Sequence, residues 1–290
     1  MTMEIKAVSD LVEDADKRGC ALSEVVLARQ AQALESTEDA LFERMASQLD
    51  VMEKSIEMGM DKNLKSVSGL SGGDAWRLKT ASEEGRIPSD IIHKAMTAAV
   101  AAAEYNACMG RIVAAPTAGS CGILPGVLKS AMDEYGIPRY KIVKSLFTAA
   151  GIGLVIARNA SISGAEGGCQ AECGAAAAMA AAAFVELRGG TPQMASHAAA
   201  LALENVMGLV CDPVAGLVEV PCVYRNASGA ANAIASANMA LAGLKSVIPC
   251  DEVIFAMNQV GRAMPSSLKE TAEGGIAATP TGKSLNAEQE

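Results

Sequence analysis

The chain has 290 residues and a net charge of −9, and half of its residues are hydrophobic while only 3% are aromatic. This apolar content excludes a disordered chain, and the acidic balance argues against nucleic acid as a partner, because no basic surface exists to release counterions. Alanine, the best helix former, accounts for 55 residues. Abundant alanine and scarce aromatics argue against a β-sandwich or barrel and predict an all-α fold, a compact alanine-rich helical domain.

The first predicted elements are helices within residues 1–60, where apolar side chains recur at helical spacing. A Gly/Ser loop, SGLSGGD at 68–74, interrupts them, and Asp74 is a candidate helix start. An alanine-rich helix over 90–110 then leads into a second loop, AAPTAGSCGILPG at 114–126.

Charge is scarce between residues 145 and 240, where 96 residues include six acidic and three basic side chains. Because a helix that is apolar all round is a buried helix, this stretch is predicted to form the core. We expect residues 1–265 to form a single catalytic domain and residues 266–290 to be an extended polar C-terminal tail. The uncharged runs at 145–157 and 173–185 have 13 residues each, fewer than the roughly 20 that span a bilayer. With no signal peptide recognisable, we expect a cytoplasmic protein without a membrane segment.

The eight cysteines have a spacing that fits no zinc finger, and in a cytoplasmic chain they indicate thiols or a metal rather than disulfides. Three of them differ by their flanks, because one follows SGAEGG, one precedes Asp-Pro and one follows Val-Pro, and such flanks place a thiol at a bend where backbone N–H groups are free. An iron–sulfur cluster needs such donors to its sulfurs, although a free cysteine can also be a small core hydrophobe. The three are Cys169, Cys211 and Cys222. For Cys20, Cys108 and Cys250 we favour core packing.

Three strings in these loops form a distinctive pattern: AAPTAGSCGILPGVL, SGAEGGCQAECGAAAAMAAAA and CDPVAGLVEVPC. They closely resemble the alpha chain of bacterial iron–sulfur L-serine dehydratase (L-serine ammonia-lyase) of the two-subunit type. SEVVL, SGLSGGDAWRL and KETAEGGIAATPTGK resemble the same family, so the resemblance covers nearly the whole chain.

The resemblance implies a 4Fe-4S cluster held by Cys169, Cys211 and Cys222 on loops between helices. Three protein ligands leave one iron open, and that iron would act as a Lewis acid on the hydroxyl of L-serine, giving pyruvate and ammonia. The implied enzyme is an oxygen-sensitive, cytoplasmic lyase of amino-acid degradation and gluconeogenesis that does not use pyridoxal phosphate. Its partner would be a separate beta chain, which could carry the general base.

Two loops are candidates for holding the carboxylate of L-serine, because hydroxyls and glycine-freed N–H groups form anion-binding nests. Thr117, Gly119 and Ser120 make the first candidate. Ser71, Gly72 and Gly73 make the second, and either loop could instead be a structural turn. His197 is a candidate base, with a packed or surface histidine as the alternative. Cys121 and Cys173 are expected to be packed thiols, and Asp212 and Glu166 to cap backbone N–H groups.

One departure from the family concerns the end of the chain. Single-chain members end with a cysteine that can bind the open iron, whereas no cysteine follows Cys250 here, so that self-ligation is not carried over. The alternatives are a cluster-dependent lyase acting on threonine or cysteine, and a non-enzymatic iron–sulfur sensor or scaffold. A pyridoxal-phosphate dehydratase lacks support, because neither a Schiff-base lysine motif nor a phosphate loop is found.

Overall fold

The computed structural model describes residues 5–287. Within that range thirteen α-helices follow one another and no β-sheet forms, which confirms the all-α prediction. Short 3-10 turns lie at Val214–Gly216, Ser266–Leu268 and Gly275–Ala278. The helices are α1 (Val8–Arg18), α2 (Leu22–Ala33), α3 (Glu38–Gly59), α4 (Asp74–Glu83), α5 (Ile91–Ala107), α6 (Ile123–Tyr135), α7 (Arg139–Asn159), α8 (Gly164–Gly167), α9 (Cys169–Leu187), α10 (Pro192–Glu204), α11 (Cys222–Leu241), α12 (Cys250–Ala263) and α13 (Pro280–Ala287).

Helix α9 is the centre of the fold. Every residue from Cys169 to Val185 is buried, and α6, α7, α10 and α11 pack around it. Alanine at most of these positions combines high helix propensity with small side chains, so neighbouring helices approach closely. The low charge of this stretch therefore reflects burial, as predicted. The packing also fixes the N-terminal end of α9, where Cys169 stands.

Helix α7 is long and apolar enough to cross a membrane by length and composition, and it is the one such helix in the described part of the chain. However, 67% of its most apolar window is buried within the fold, where α7 packs against α2 and α9. Its apolar side chains therefore contribute to the core.

Residues 266–287 differ from the extended tail that the sequence predicts. They fold into two 3-10 turns followed by α13, and α13 packs against the turn at Val214–Gly216. The backbone N–H of Ile276 also donates to the carboxylate of Asp212 at 2.8 Å. These contacts fix a polar segment that has no apolar periodicity to reveal its fold.

A carboxyl group at the end of α9 gives a pH test of this packing. Burial raises the pKa of Glu186 from its ordinary value of 4.5, although its carboxylate accepts the Ser23 N–H at 3.2 Å and the Thr148 hydroxyl. The folded chain therefore binds this proton more tightly than the unfolded chain does. The resulting stability is complete below pH 4.5 and is lost as the pH rises through the raised value.

We expect Glu186→Gln to remove this dependence, because the amide does not titrate. The free energy of unfolding of the wild-type chain should fall relative to that of Glu186→Gln as the pH rises above 4.5. Denaturant unfolding of both proteins across this range checks the prediction. A difference that stays constant with pH would contradict it.

Candidate active site

Three buried cysteines meet at one end of the helical bundle. Cys169 is the first residue of α9 and Cys222 is the first residue of α11, while Cys211 lies in the loop between α10 and α11. Burial raises the pKa of Cys211 and raises that of Cys222 to about 12, and the charge of Cys169 raises both further. The fold thus brings the predicted three cysteines close enough to interact electrostatically.

Cys169 differs from the other two in its immediate neighbours. Its sulfur lies 3.2 Å from the sulfur of Cys173, one helical turn further along α9. A hydrogen bond from Cys173 lowers the pKa of Cys169 against the effect of burial, and Arg225 lowers it further. The same bond raises the pKa of Cys173. Cys169 is therefore the thiol that ionises most readily in this pair.

A compact metal-binding group is also present at the start of α9. The ligand atoms of Cys169, Glu172 and Cys173 all lie within 4.8 Å of one another, which suits a single ion. Thiolates that hold a four-iron cluster stand further apart, because each binds a different iron. The site therefore offers a compact set and a wider set that includes Cys211 and Cys222, with Cys169 common to both.

Arg225 is the cation of this site, and it is not among the site residues predicted from the sequence. Its guanidinium donates to the backbone oxygen of Val210 at 2.8 Å and to Asp212 at 2.7 Å, and it also hydrogen-bonds the sulfur of Cys169. Asp212 was expected to cap backbone N–H groups, and its second oxygen accepts the N–H of Ile276, which is distant in the sequence. Arg225 thus links the start of α11, the Cys211 loop and α9.

The loop before α6 packs onto the first turn of α9 through Glu172. The hydroxyl of Thr117 donates to the Glu172 carboxylate, as does the backbone N–H of Gly119. Ser120 lies 3.0 Å from the Thr117 hydroxyl, and Asn226 of α11 donates to the Gly119 carbonyl at 2.7 Å. The predicted loop therefore borders the cysteines, and its donors bind a carboxylate that belongs to the protein.

The loop before α4 reaches the same site through Glu219. Ser68 and Ser71 donate their hydroxyls to one Glu219 oxygen at 2.7 and 3.1 Å. Glu219 is buried and lies three residues before Cys222 in the chain. This loop is thereby tied to the segment that ends at the third cysteine.

A second glutamate fixes the glycines of this loop. Glu104 of α5 is fully buried, and its carboxylate accepts the N–H groups of Asp74 and Ala75 at 2.9 and 3.1 Å. Gly72 and Gly73 have φ angles of 134° and 76°, and a Cβ on Gly72 would lie 2.2 Å from the Leu64 carbonyl oxygen. Glycine is required at Gly72 by both conformation and space.

The remaining candidates lie elsewhere or have other roles. His197 of α10 lines a separate cavity of about 550 Å³ together with residues of α1 and α12, and neither the three predicted cluster cysteines nor the two predicted loops line it. Burial lowers the pKa of His197, and Lys245 lowers it further.

Glu166 accepts the Ser161 hydroxyl at 2.7 Å rather than a backbone N–H. Cys121 is a buried thiol whose sulfur contacts the Ala102 carbonyl, which agrees with a packed role.

The charged residues of this site share one feature of the sequence, a position in an apolar stretch. The nine charged residues of the stretch 145–240 include Glu172, Glu219 and Arg225. A charge in such a stretch must be paired or hydrogen-bonded, so each of them was recognisable as a site candidate. Glu104, inside the alanine-rich helix α5, carries the same signal.

The fold and the site together define an all-α protein with a buried, thiol-rich group that could hold a metal. Residues 17–277 match the family model of the serine dehydratase alpha chain. This chain belongs to that family.

Some relatives have about the same length as this chain, and others are longer. The chain is 49% identical to the probable L-serine dehydratase alpha chain of Bacillus subtilis, with 96% of this chain and 93% of the relative covered. It is 43% identical to the L-serine dehydratase alpha chain of Peptoniphilus asaccharolyticus, with 97% of each covered. The L-serine dehydratase of Streptomyces coelicolor is 37% identical over 92% of this chain, but the match spans only 59% of that longer protein.

Proposed function

We propose that this chain is the catalytic alpha subunit of an iron–sulfur-dependent lyase that converts L-serine into pyruvate and ammonia. The observation that carries the proposal is the convergence of Cys169, Cys211 and Cys222 at one buried place between two hydroxyl-bearing loops. Membership of the serine dehydratase alpha chain family supports the substrate and the reaction.

The chemistry of the three thiols fits a 4Fe-4S cluster. Burial raises the pKa values of Cys211 and Cys222, so these thiols would stay protonated without a bound cation, whereas a coordinating thiol is deprotonated outright. Cys169 and Cys222 begin helices, where free N–H groups and the helix dipole favour negative charge. The Arg225 guanidinium adds a hydrogen bond to the Cys169 sulfur, of the kind that stabilises cluster sulfur.

The reaction breaks the Cα–H and Cβ–O bonds of serine and forms a carbon–carbon double bond. When bound, the cluster would supply a Lewis-acidic iron for the departing hydroxyl. The enamine that results tautomerises and is hydrolysed to pyruvate and ammonia without further catalysis. We infer that the base for the Cα proton lies on a separate beta chain, a partner supported by the relatives named alpha chains.

The chain's own residues would orient serine beside the cysteines. In the structure the Thr117 and Gly119 donors hold the Glu172 carboxylate, and Ser68 and Ser71 hold Glu219. We propose that, when serine binds, these donors pass from the two glutamates to the substrate carboxylate. The two glutamates then offer acceptors for the substrate ammonium, because charge-assisted hydrogen bonds are the stronger ones.

The first test is iron and acid-labile sulfide per chain after anaerobic reconstitution, followed by rates on serine, threonine and cysteine with the beta chain added. We expect about four of each per chain and the highest rate on serine. Near-zero sulfide in folded protein would contradict the proposal of a cluster. A cluster whose spectrum is unchanged by serine would favour a sensor or scaffold instead.

A further inference from the structure

The C-terminal segment returns to the cysteine site and is hydrogen-bonded to it. The Cys211 N–H donates to the Leu268 carbonyl at 2.8 Å, and the Glu270 N–H donates to the Cys211 carbonyl at 2.7 Å. These bonds form an isolated parallel bridge between Cys211 and Lys269. The backbone of Glu270 is therefore held directly against a proposed cluster ligand.

The carboxylate of Glu270 lies near the sulfur of Cys211. A Cβ on Gly164 of α8 would lie 2.7 Å from that sulfur and 3.4 Å from Oε2 of Glu270, so both atoms border one small space. Burial chiefly raises the pKa values of Cys211, Cys222 and Glu172, and the charge of Glu270 adds to all three. The carboxylate thus faces the whole site.

No side chain in the described part of the chain pairs with this carboxylate. Among residues 5–287, Glu270 forms no side-chain hydrogen bond or ion pair, and the Arg225 guanidinium is engaged by Val210, Asp212 and Cys169. Glu270 also has a φ of 64°, a left-handed conformation that is strained for a residue other than glycine. Glu270 is exposed, so its carboxylate stays solvated, and it is free to bind a cation held by the neighbouring thiols.

We propose that the Glu270 carboxylate is the resting fourth protein ligand of the proposed cluster, and that serine displaces it. This inference rests on the proposed function, because three cysteines leave one iron without a protein ligand. Carboxylate oxygen is an accepted ligand of iron, and serine offers oxygen donors of the same kind. The step is a ligand exchange, in which one iron–oxygen bond breaks, another forms, and no electrons are transferred.

The test uses the full chain, reconstituted anaerobically, as wild type, Glu270→Gln, Glu270→Ala and the control Glu273→Gln. Glu273 is exposed on the same segment, and no contact joins its side chain to the site. Mild oxidation followed by EPR measures the loss of one iron to a three-iron cluster. We expect both Glu270 variants to lose this iron faster than the wild type and the control, because its protein ligand is gone.

Serine titrations, followed by the Mössbauer signal of the open iron, give a second readout that does not need turnover. If the carboxylate occupies about nine in ten resting chains, its removal should tighten the apparent Kd for serine about tenfold. Equal rates of iron loss and equal Kd values in all four proteins would overturn the inference, although the cluster itself would stand. Loss of turnover in Glu270→Gln with unchanged iron signals would also overturn it, by assigning Glu270 a different role. Absence of a cluster from the wild type would instead remove the proposed function and this inference together.

Discussion

Replacing Cys211 with alanine is expected to remove the cluster and the dehydratase activity together. The three buried thiols are the proposed cluster ligands, and a Lewis-acidic metal supplies several kcal/mol of stabilisation for a departing oxygen. At 1.36 kcal/mol for each tenfold change in rate, serine turnover should fall at least about 1000-fold. Iron, sulfide and activity are measured on the same anaerobic preparation.

Cys250→Ala is the matched control for this substitution. Cys250 is also a buried thiol at the first position of a helix, α12, and its pKa is raised by burial in the same way. It lies outside the cysteine site, so its removal should leave iron content and turnover close to those of the wild type. An active Cys211→Ala protein that contains no iron would contradict the proposed mechanism.

Replacing Glu172 with alanine is expected to lower kcat/KM for serine about 100-fold and to leave the iron content unchanged. The Thr117 hydroxyl and the Gly119 N–H both bind this carboxylate, so its removal releases the loop that we propose orients the substrate. A displacement of about 1 Å is enough to cost about 100-fold in rate. Glu172→Gln retains one acceptor oxygen and should lose less activity.

The same substitution distinguishes the two possible ligand sets. If Cys169, Glu172 and Cys173 bind the metal, Glu172→Ala should lose iron as well as activity, and Cys211→Ala should keep its iron. Glu166→Ala is the control, because that exposed carboxylate accepts the Ser161 hydroxyl, and among the described residues no hydrogen bond joins it to the Thr117 loop. Unchanged kcat/KM in Glu172→Ala would contradict the orienting role of the Thr117 loop.

The family resemblance, rather than the neighbours alone, assigns the three cysteines among the eight. Cys250 follows a proline as Cys222 does, and Cys121 also has a glycine beside it, but the structure brings the thiols of Cys169, Cys211 and Cys222 together. The flanks do not reveal that Cys173 donates to Cys169. That contact depends on the helical phase, which is set by α9 beginning at Cys169.

The sequence by itself determined the all-α class, the buried α9 and the identity of the loops that border the site. The first two follow from local composition and periodicity, which act over a few residues, and the loops follow from their composition together with the family resemblance. Only the tertiary structure decided which charges serve those loops: Glu172 lies 55 residues from Thr117, and Glu219 lies 148 residues from Ser71. It also decided that the polar C-terminal segment folds back onto Cys211 and places Glu270 beside it. Such contacts join distant segments through single polar side chains, and no local hydrophobic period encodes them because they depend on how the helices pack.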